Sequence, residues 1–301
     1  MIMKMLKLKI NVLFIVLAGA IFSQSCTVSQ PSQSQTINQT QPSKDSVIKI
    51  LAIGNSFSDD AVEHYLFGLA KAGGYKVIIG NLYIGGAPLE LHVKNAQENK
   101  SVYSYRKIDV DGKKTQTPNT TIATALADEN WNYVSFQQAS PKSGLFETYV
   151  EPLPILFKYV KEKATNPKVK YIWHQTWAYA QSYTHKGFAS YQNNQMVMYN
   201  GIMDASQKVM KLLPFDILVP AGTAIQNART KLGDVMTRDG YHLDLNIGRY
   251  TASSTWYETI FKQNVVGNSY KPEKVSDEEA RVGQEAAHKA VVKPYRVSEI
   301  K

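Results

Sequence analysis

The chain has 301 residues, 44% of them hydrophobic and 20% charged, which suits one domain with a full core. The formal charge of +9 falls to +6 without the three lysines of residues 1–25, and no dense Lys/Arg block carries interleaved aromatics, so nucleic-acid binding is not indicated. The single cysteine, Cys26, excludes an intramolecular disulfide and any thiolate cluster for zinc or iron–sulfur.

Lys4, Lys7 and Lys9 precede an apolar run, Ile10 to Phe22, that is too short for a comfortable membrane span, and small residues follow up to Cys26. Residues 1–25 therefore read as an export signal. The position of Cys26 resembles the lipobox of bacterial lipoproteins, in a loose form without the usual Leu and Ala-Gly pair. That resemblance implies lipidation of Cys26 and a lipid anchor in the bacterial cell envelope, periplasmic or at the surface. The other reading is a soluble secreted protein with a spare thiol. Residues 26–46, rich in Gln, Ser, Thr and Pro, read as a disordered tether ahead of a domain at 47–297.

The domain opens with a β-branched run from Val47 to Ile53 that stops at Gly54-Asn55-Ser56. This pattern predicts a buried parallel strand, a tight turn and a helix from about Asp59 to Ala72. A serine at such a corner sits where open α/β sheets keep their sites, although Asn and Ser are also ordinary turn and cap residues. Lys76 to Ile84 is a second strand, ended by Gly85-Gly86, which is either a plain turn or a source of unhindered N–H groups. Residues 103–117 alternate and turn at Asp111-Gly112, predicting an inserted hairpin. It either rims the site with Tyr103 and Tyr105 or is a solvated excursion.

A helix follows from Thr120 to Asp128, then a third strand, Trp131 to Phe136, ending in Gln137-Gln138. Those amides either donate into a site or cap the next loop. A helix from Phe146 to Ala164 is disturbed by Pro152 and Pro154. Val169 to Trp173 is the fourth strand and runs into His174-Gln175-Thr176-Trp177-Ala178-Tyr179. A long helix spans Tyr191 to Leu213, and the fifth strand spans Phe215 to Val219. After a loop at residues 230–234 comes Asp239-Gly240-Tyr241-His242, then a helix from Leu245 to Phe261. Ser276 and Glu279 form a capping-box pattern for a last helix to about Val291. Strands alternating with helices predict a parallel sheet covered on both faces.

The polar residues after the strands can supply an acyl-transfer site from one edge of the sheet. Asp239 and His242 are three residues apart, so one turn can bring the carboxylate to Nδ1 and leave Nε2 for Ser56. This order resembles the SGNH (GDSL-like) hydrolase superfamily over about residues 48–262. Gly54-Asn55-Ser56 stands for its Gly-Asp-Ser block, Gly85 or Gly86 for its central glycine, and Asp239-Gly240-Tyr241-His242 for its Asp-x-x-His block. The Gly-x-Asn-Asp block is absent, and Gln137-Gln138 stands in its place. The whole pattern is similar to a Bacteroidetes branch of SGNH-like proteins known only as a domain of unknown function.

The resemblance implies a three-layer α/β/α sandwich with a five-stranded parallel sheet. It implies Ser56 as nucleophile, His242 as base and Asp239 as its orienting acid. The Ser56 N–H, a Gly85 or Gly86 N–H, and a Gln137 or Gln138 amide would form the oxyanion hole. Trp177, Tyr241 and Gln226 are candidate substrate contacts, and core packing is the alternative for the tryptophans. No histidine pair has metal-ligand spacing, so no metal or other cofactor is expected. The expected activity is a serine esterase removing a small acyl group, such as O-acetyl, from a carbohydrate or cell-wall glycan. The rivals are a non-catalytic carbohydrate-binding protein on the same scaffold and an O-acyltransferase.

Overall fold

The computed structural model describes residues 41–301; the expected export signal, Cys26 and most of the expected tether lie outside them. The β-branched run forms β1 (Val47–Gly54), and Asn55 caps α1 (Ser56–Val62) by accepting the Phe57 N–H on its side chain. The helix foreseen as one piece is broken: α2 (Leu66–Ala72) begins after a bend at residues 63–65. The bend turns Glu63 toward Asn81 and Arg106, and carries the Tyr65 hydroxyl to the Leu245 carbonyl at 2.6 Å. β2 (Lys76–Tyr83) follows, then α3 (Leu89–Gln97), the hairpin β3 (Tyr103–Ile108) and β4 (Lys114–Thr120), α4 (Ile122–Asp128) and β5 (Tyr133–Phe136).

Pro152 sits where a helix tolerates proline, at the first turn, and divides α5 (Glu147–Val150) from α6 (Pro152–Lys163). β6 (Lys170–His174), α7 (Gln195–Leu212), β7 (Ile217–Val219), α8 (Ala221–Leu232) and α9 (Ile247–Phe261) complete the alternation. The capping box on Ser276 and Glu279 opens α10 (Asp277–Val292) as its sequence predicts.

The sheet has seven strands in the order β4-β3-β2-β1-β5-β6-β7. Five of them, β1, β2, β5, β6 and β7, run parallel. The hairpin adds two antiparallel strands to the β2 edge, which is the difference from the five-stranded expectation. Its first strand belongs to the core, with Tyr103 and Tyr105 buried and the Tyr105 hydroxyl donating to Asp128 at 2.7 Å, while β4 is an exposed edge.

Alternation along the strands fills two cores. Ile48, Ile50 and Ala52 of β1 pack with α1, α2, α8, α9 and α10 on one face. Leu51 and Ile53 pack with α3, α4, α6 and α7 on the other. The result is a three-layer α/β/α sandwich whose parallel strands end together beside Ser56, Gly85 and Gln137.

Candidate active site

Ser56 is the first residue of α1, separated only by Asn55 from the end of the strand at the centre of the sheet. The turn that presents it is held by Asn55. Its Oδ1 accepts from the Phe57 N–H at 3.0 Å and from Gln137 Nε2 at 2.8 Å, while its Nδ2 donates to the Ala87 carbonyl at 3.0 Å. An aspartate could not make that last bond, since an ionised carboxylate only accepts. Asn55 thus ties the serine turn to the glycine turn.

On the opposite wall, Asp239 and His242 form the pair that their spacing suggests. Asp239 Oδ2 lies 2.6 Å from His242 Nδ1, and Asp239 Oδ1 accepts the backbone N–H groups of Tyr241 and His242 at 3.2 and 2.8 Å. Burial raises the Asp239 carboxyl, but the hydrogen bonds from His242 and Tyr241 outweigh it and hold the group below the usual carboxylate value. An ionised Asp239 fixes the imidazole with its proton on Nδ1, which leaves Nε2 as the accepting nitrogen. Gly240 makes the turn at φ 94°, and its Cβ position is filled by the Tyr183 ring, so no other residue fits there without strain.

Ser56 and His242 line one cavity of about 350 Å³ together with Asn55, Gly85, Gly86 and Tyr241. His242 lies edge-on to Phe57, ring centroids 6.5 Å apart. Among the described residues, no backbone hydrogen bond engages the N–H of Ser56, Gly85 or Gly86; the glycine turn is closed instead by the Ala87 N–H on the Ile84 carbonyl at 3.2 Å. Gly86 adopts φ 65°, which a residue with a Cβ rarely takes. Free N–H groups beside a nucleophile are what a developing oxyanion requires.

Other candidates are placed elsewhere. Gln137 and Gln138 do not line the cavity. Gln137 bridges Asn55 and His174, whose Nδ1 lies 2.9 Å from Gln137 Oε1. Gln138 Oε1 accepts from the Leu89 and Ala139 N–H groups, and its Nε2 points to Thr148. Both amides are spent on the protein's own backbone and side chains. Trp177 is fully buried: it stacks on Phe57 at 4.2 Å and donates to the Tyr241 carbonyl at 2.7 Å, supporting both walls from behind. Gln226 is buried against Arg229 and Gln195. Of the three expected substrate contacts, only Tyr241 reaches the cavity. The rest of the wall is Phe57, Tyr83, Tyr179, Tyr183, His185, Ala139, Ser140 and Pro141. Tyr183 and His185 are parallel to within 5°, and Tyr183 also stacks on Tyr241 at 5.3 Å. Residues 181–185 have no periodic pattern, so only their aromatic content hinted at this role.

The placement of Gln137 makes a prediction. Gln137→Ala leaves His174 Nδ1 without a partner and Asn55 with one donor fewer. Such a change costs about 1–3 kcal/mol of stability. The expected result is a lowered midpoint of urea unfolding with most of the specific activity of the folded protein retained. A loss confined to kcat, about a hundredfold or more, would instead make the amide an oxyanion donor.

The fold and site define a three-layer α/β/α protein with a Ser–His–Asp constellation beside unpartnered backbone donors at the carboxyl edge of a parallel sheet. The family model for the domain of unknown function DUF4886 matches residues 49–290, and the chain belongs to that family. It is similar to the crystal structure of a DUF4886 family protein from Bacteroides uniformis ATCC 8492, with 50% identity and a TM-score of 0.83, covering 85% of this chain and 98% of that one. Weaker likenesses are to TesA, with 12% identity, TM-score 0.42 and coverage of 71% and 96%, and to a putative acylhydrolase from Bacteroides fragilis NCTC 9343, with 13% identity, TM-score 0.39 and coverage of 86% and 93%. A comparison with curated proteins finds no match.

Proposed function

We propose that this protein is a serine hydrolase of the SGNH type that removes a small acyl group from a carbohydrate ester. The observation that carries this reading is one cavity lined by Ser56, His242, Gly85 and Gly86, with Asp239 hydrogen-bonded to the His242 imidazole and the backbone N–H groups of Ser56, Gly85 and Gly86 left without a backbone partner. Ser56 Oγ attacks the ester carbonyl as His242 Nε2 takes its proton. The N–H groups donate hydrogen bonds to the negative charge that develops on the carbonyl oxygen. Collapse breaks the C–O bond, and the imidazolium returns the proton to the departing sugar hydroxyl. Water, deprotonated by His242, then attacks the acyl-enzyme; the acyl–Oγ bond breaks, the carboxylic acid leaves, and the imidazolium returns its proton to Ser56 Oγ.

A carbohydrate leaving group is supported by the wall of Tyr83, Tyr179, Tyr183, His185 and Tyr241. Each ring offers an apolar face and a polar tip, which suits a sugar ring with an apolar face and a hydroxyl edge. Export and lipid attachment through Cys26 belong to the same reading, since polymeric glycans are met outside the cytoplasm. Failure of a clickable fatty acid to label the protein, or labelling that survives Cys26→Ala, would overturn the anchor.

The test is hydrolysis of nitrophenyl acetate and of acetylated oligosaccharides by the purified protein. Both are expected to be cleaved. Tyr183→Leu keeps bulk over Gly240 but removes the aromatic face, and is expected to raise KM for the acetylated sugar about tenfold while leaving nitrophenyl acetate nearly unaffected. Equal effects on both esters would reject the sugar platform. Acyl transfer to a sugar without hydrolysis would make the protein an acyltransferase. Inertness of Ser56 to a fluorophosphonate would leave a binding protein.

A further inference from the structure

Asp60 lies on α1, four residues after Ser56, and has no exposed surface. Its carboxylate accepts hydrogen bonds from Arg238 and Leu243, which flank the turn that carries His242, and from Arg249 on α9. Arg238 Nη1 lies at 3.1 and 3.4 Å from its two oxygens, Arg249 Nε at 2.8 Å, and the Leu243 N–H at 2.8 Å. Arg238 directly precedes Asp239, and Leu243 directly follows His242. These two donors therefore grip the Asp239–His242 turn at both ends.

The turn itself is stiff. The Arg238 N–H donates to the His242 carbonyl at 3.0 Å, the Asp244 N–H donates to the Met236 carbonyl at 2.9 Å, and Thr237 bridges Leu243 in antiparallel fashion. Arg238 Nη1 also reaches the Leu243 carbonyl. A stiff turn moves as a body, so its distance from the nucleophile depends on what it is fastened to. Asp60 is a fastening on the serine's own helix. Burying a carboxylate against guanidinium groups is a poor route to stability, because desolvation offsets most of the attraction. Its directional bonds do define one position.

We propose that Asp60, with Arg238, is a positioning residue for the reaction, holding His242 in register with Ser56. The proposal rests on the serine-hydrolase reading of that pair. A displacement of about 1 Å in such a pair can cost on the order of a hundredfold in rate.

Arg238 is the residue to change first, because its side chain is 31% exposed and the fold tolerates its shortening better than loss of Asp60. Arg238→Gln is expected to lower kcat for nitrophenyl acetate about 30- to 100-fold with KM within about twofold of the unaltered enzyme. Labelling of Ser56 by a fluorophosphonate should slow by a similar factor. Arg238→Lys, which keeps a charge on Asp60, should recover most of the loss. Asp60→Asn, where it folds, should match Arg238→Gln, and the double variant should lose little more than either. A folded Arg238→Gln enzyme with unaltered kcat, or a change confined to KM or thermal stability, overturns the proposal.

If the unaltered protein neither cleaves esters nor takes up the fluorophosphonate, the serine-hydrolase reading fails instead. The clamp is then decided by the crystal structure of Arg238→Gln. His242 is expected to leave its present position against Phe57, 6.5 Å between ring centroids; an unmoved ring rejects the clamp.

Discussion

Ser56→Ala is expected to abolish ester hydrolysis, by about 10⁴-fold or more, without weakening the fold. The two halves of this expectation have separate causes. The Ser56 hydroxyl takes no part in the described hydrogen bonds of its turn, which are made by Asn55 and Ser58: the Phe57 N–H and Gln137 hold the Asn55 side chain, and the Ser58 hydroxyl donates to the Asn55 carbonyl at 2.8 Å. Removing the hydroxyl therefore takes nothing from the native state and all of the nucleophilic chemistry. His242→Ala should be nearly as severe, and the double variant no worse than Ser56→Ala, because the two groups act as one unit. Thermal unfolding and nitrophenyl acetate hydrolysis, measured side by side, check both halves. Residual turnover in Ser56→Ala within tenfold of the unaltered enzyme would remove this serine from the chemistry.

Much of this arrangement could be read from the chain. Buried parallel strands show as apolar β-branched runs, and turns after them show as Gly, Asn and Ser, so Ser56 and Gly85-Gly86 were placed at one sheet edge. The Asp239–His242 pair was legible because it is local: three residues and one turn supply the bond. What failed was non-local. Gln137 is turned from the cavity by Asn55, 82 residues away, and by His174, 37 residues away, and nothing in the Gln137-Gln138 doublet records either partner. Asp60 looked like any acid near a helix start, and its partners come 178 and more residues later. Helix α8 went unseen for a different reason. From Ala221 to Arg229 every residue is buried, so no polar face alternates with an apolar one. Its Thr, Gln and Asn side chains instead pair internally, with Gln175, Arg229 and the Ala286 carbonyl.

The other large effect expected is acid unfolding driven by two buried histidines. His174 packs edge-on to Trp177 and Trp256, with Nδ1 on Gln137 and Nε2 buried without a partner. Because Gln137 donates to Asn55, its oxygen must accept from His174, so the ring is neutral with its proton on Nδ1. His92 stacks on Tyr103, Nδ1 lies 2.8 Å from the Tyr103 hydroxyl, and its Nε2 is likewise unpartnered. A second proton on either ring would place a charge where nothing accepts it. Burial accordingly lowers His174 to about 3 and His92 to about 4, from an ordinary value of 6.5. A lowered folded-state value means that the unfolded chain binds protons first, so stability is complete above pH 6.5 and falls as the pH drops toward 4 and 3. Each unit is worth about 1.4 kcal/mol, and over the two units down to pH 4.5 the pair removes about 5 kcal/mol. That is comparable with the whole stability of an ordinary domain, about 5–15 kcal/mol. The lowered carboxyls of Asp59, Asp128, Glu129 and Asp239 act in the same direction, but only below their ordinary values of 3.8 to 4.5. Burial raises the Glu63 carboxyl above its ordinary 4.5, so it titrates inside the window from pH 6.5 to 4.5 in the opposite sense; it is common to every variant, and the difference between variants therefore reports the histidines. Urea midpoints measured across this window should fall steeply for the unaltered protein and about half as steeply for His92→Leu or His174→Phe, whatever each substitution does to stability at pH 7. Parallel curves for all three would mean that neither imidazole is the group that acid must charge.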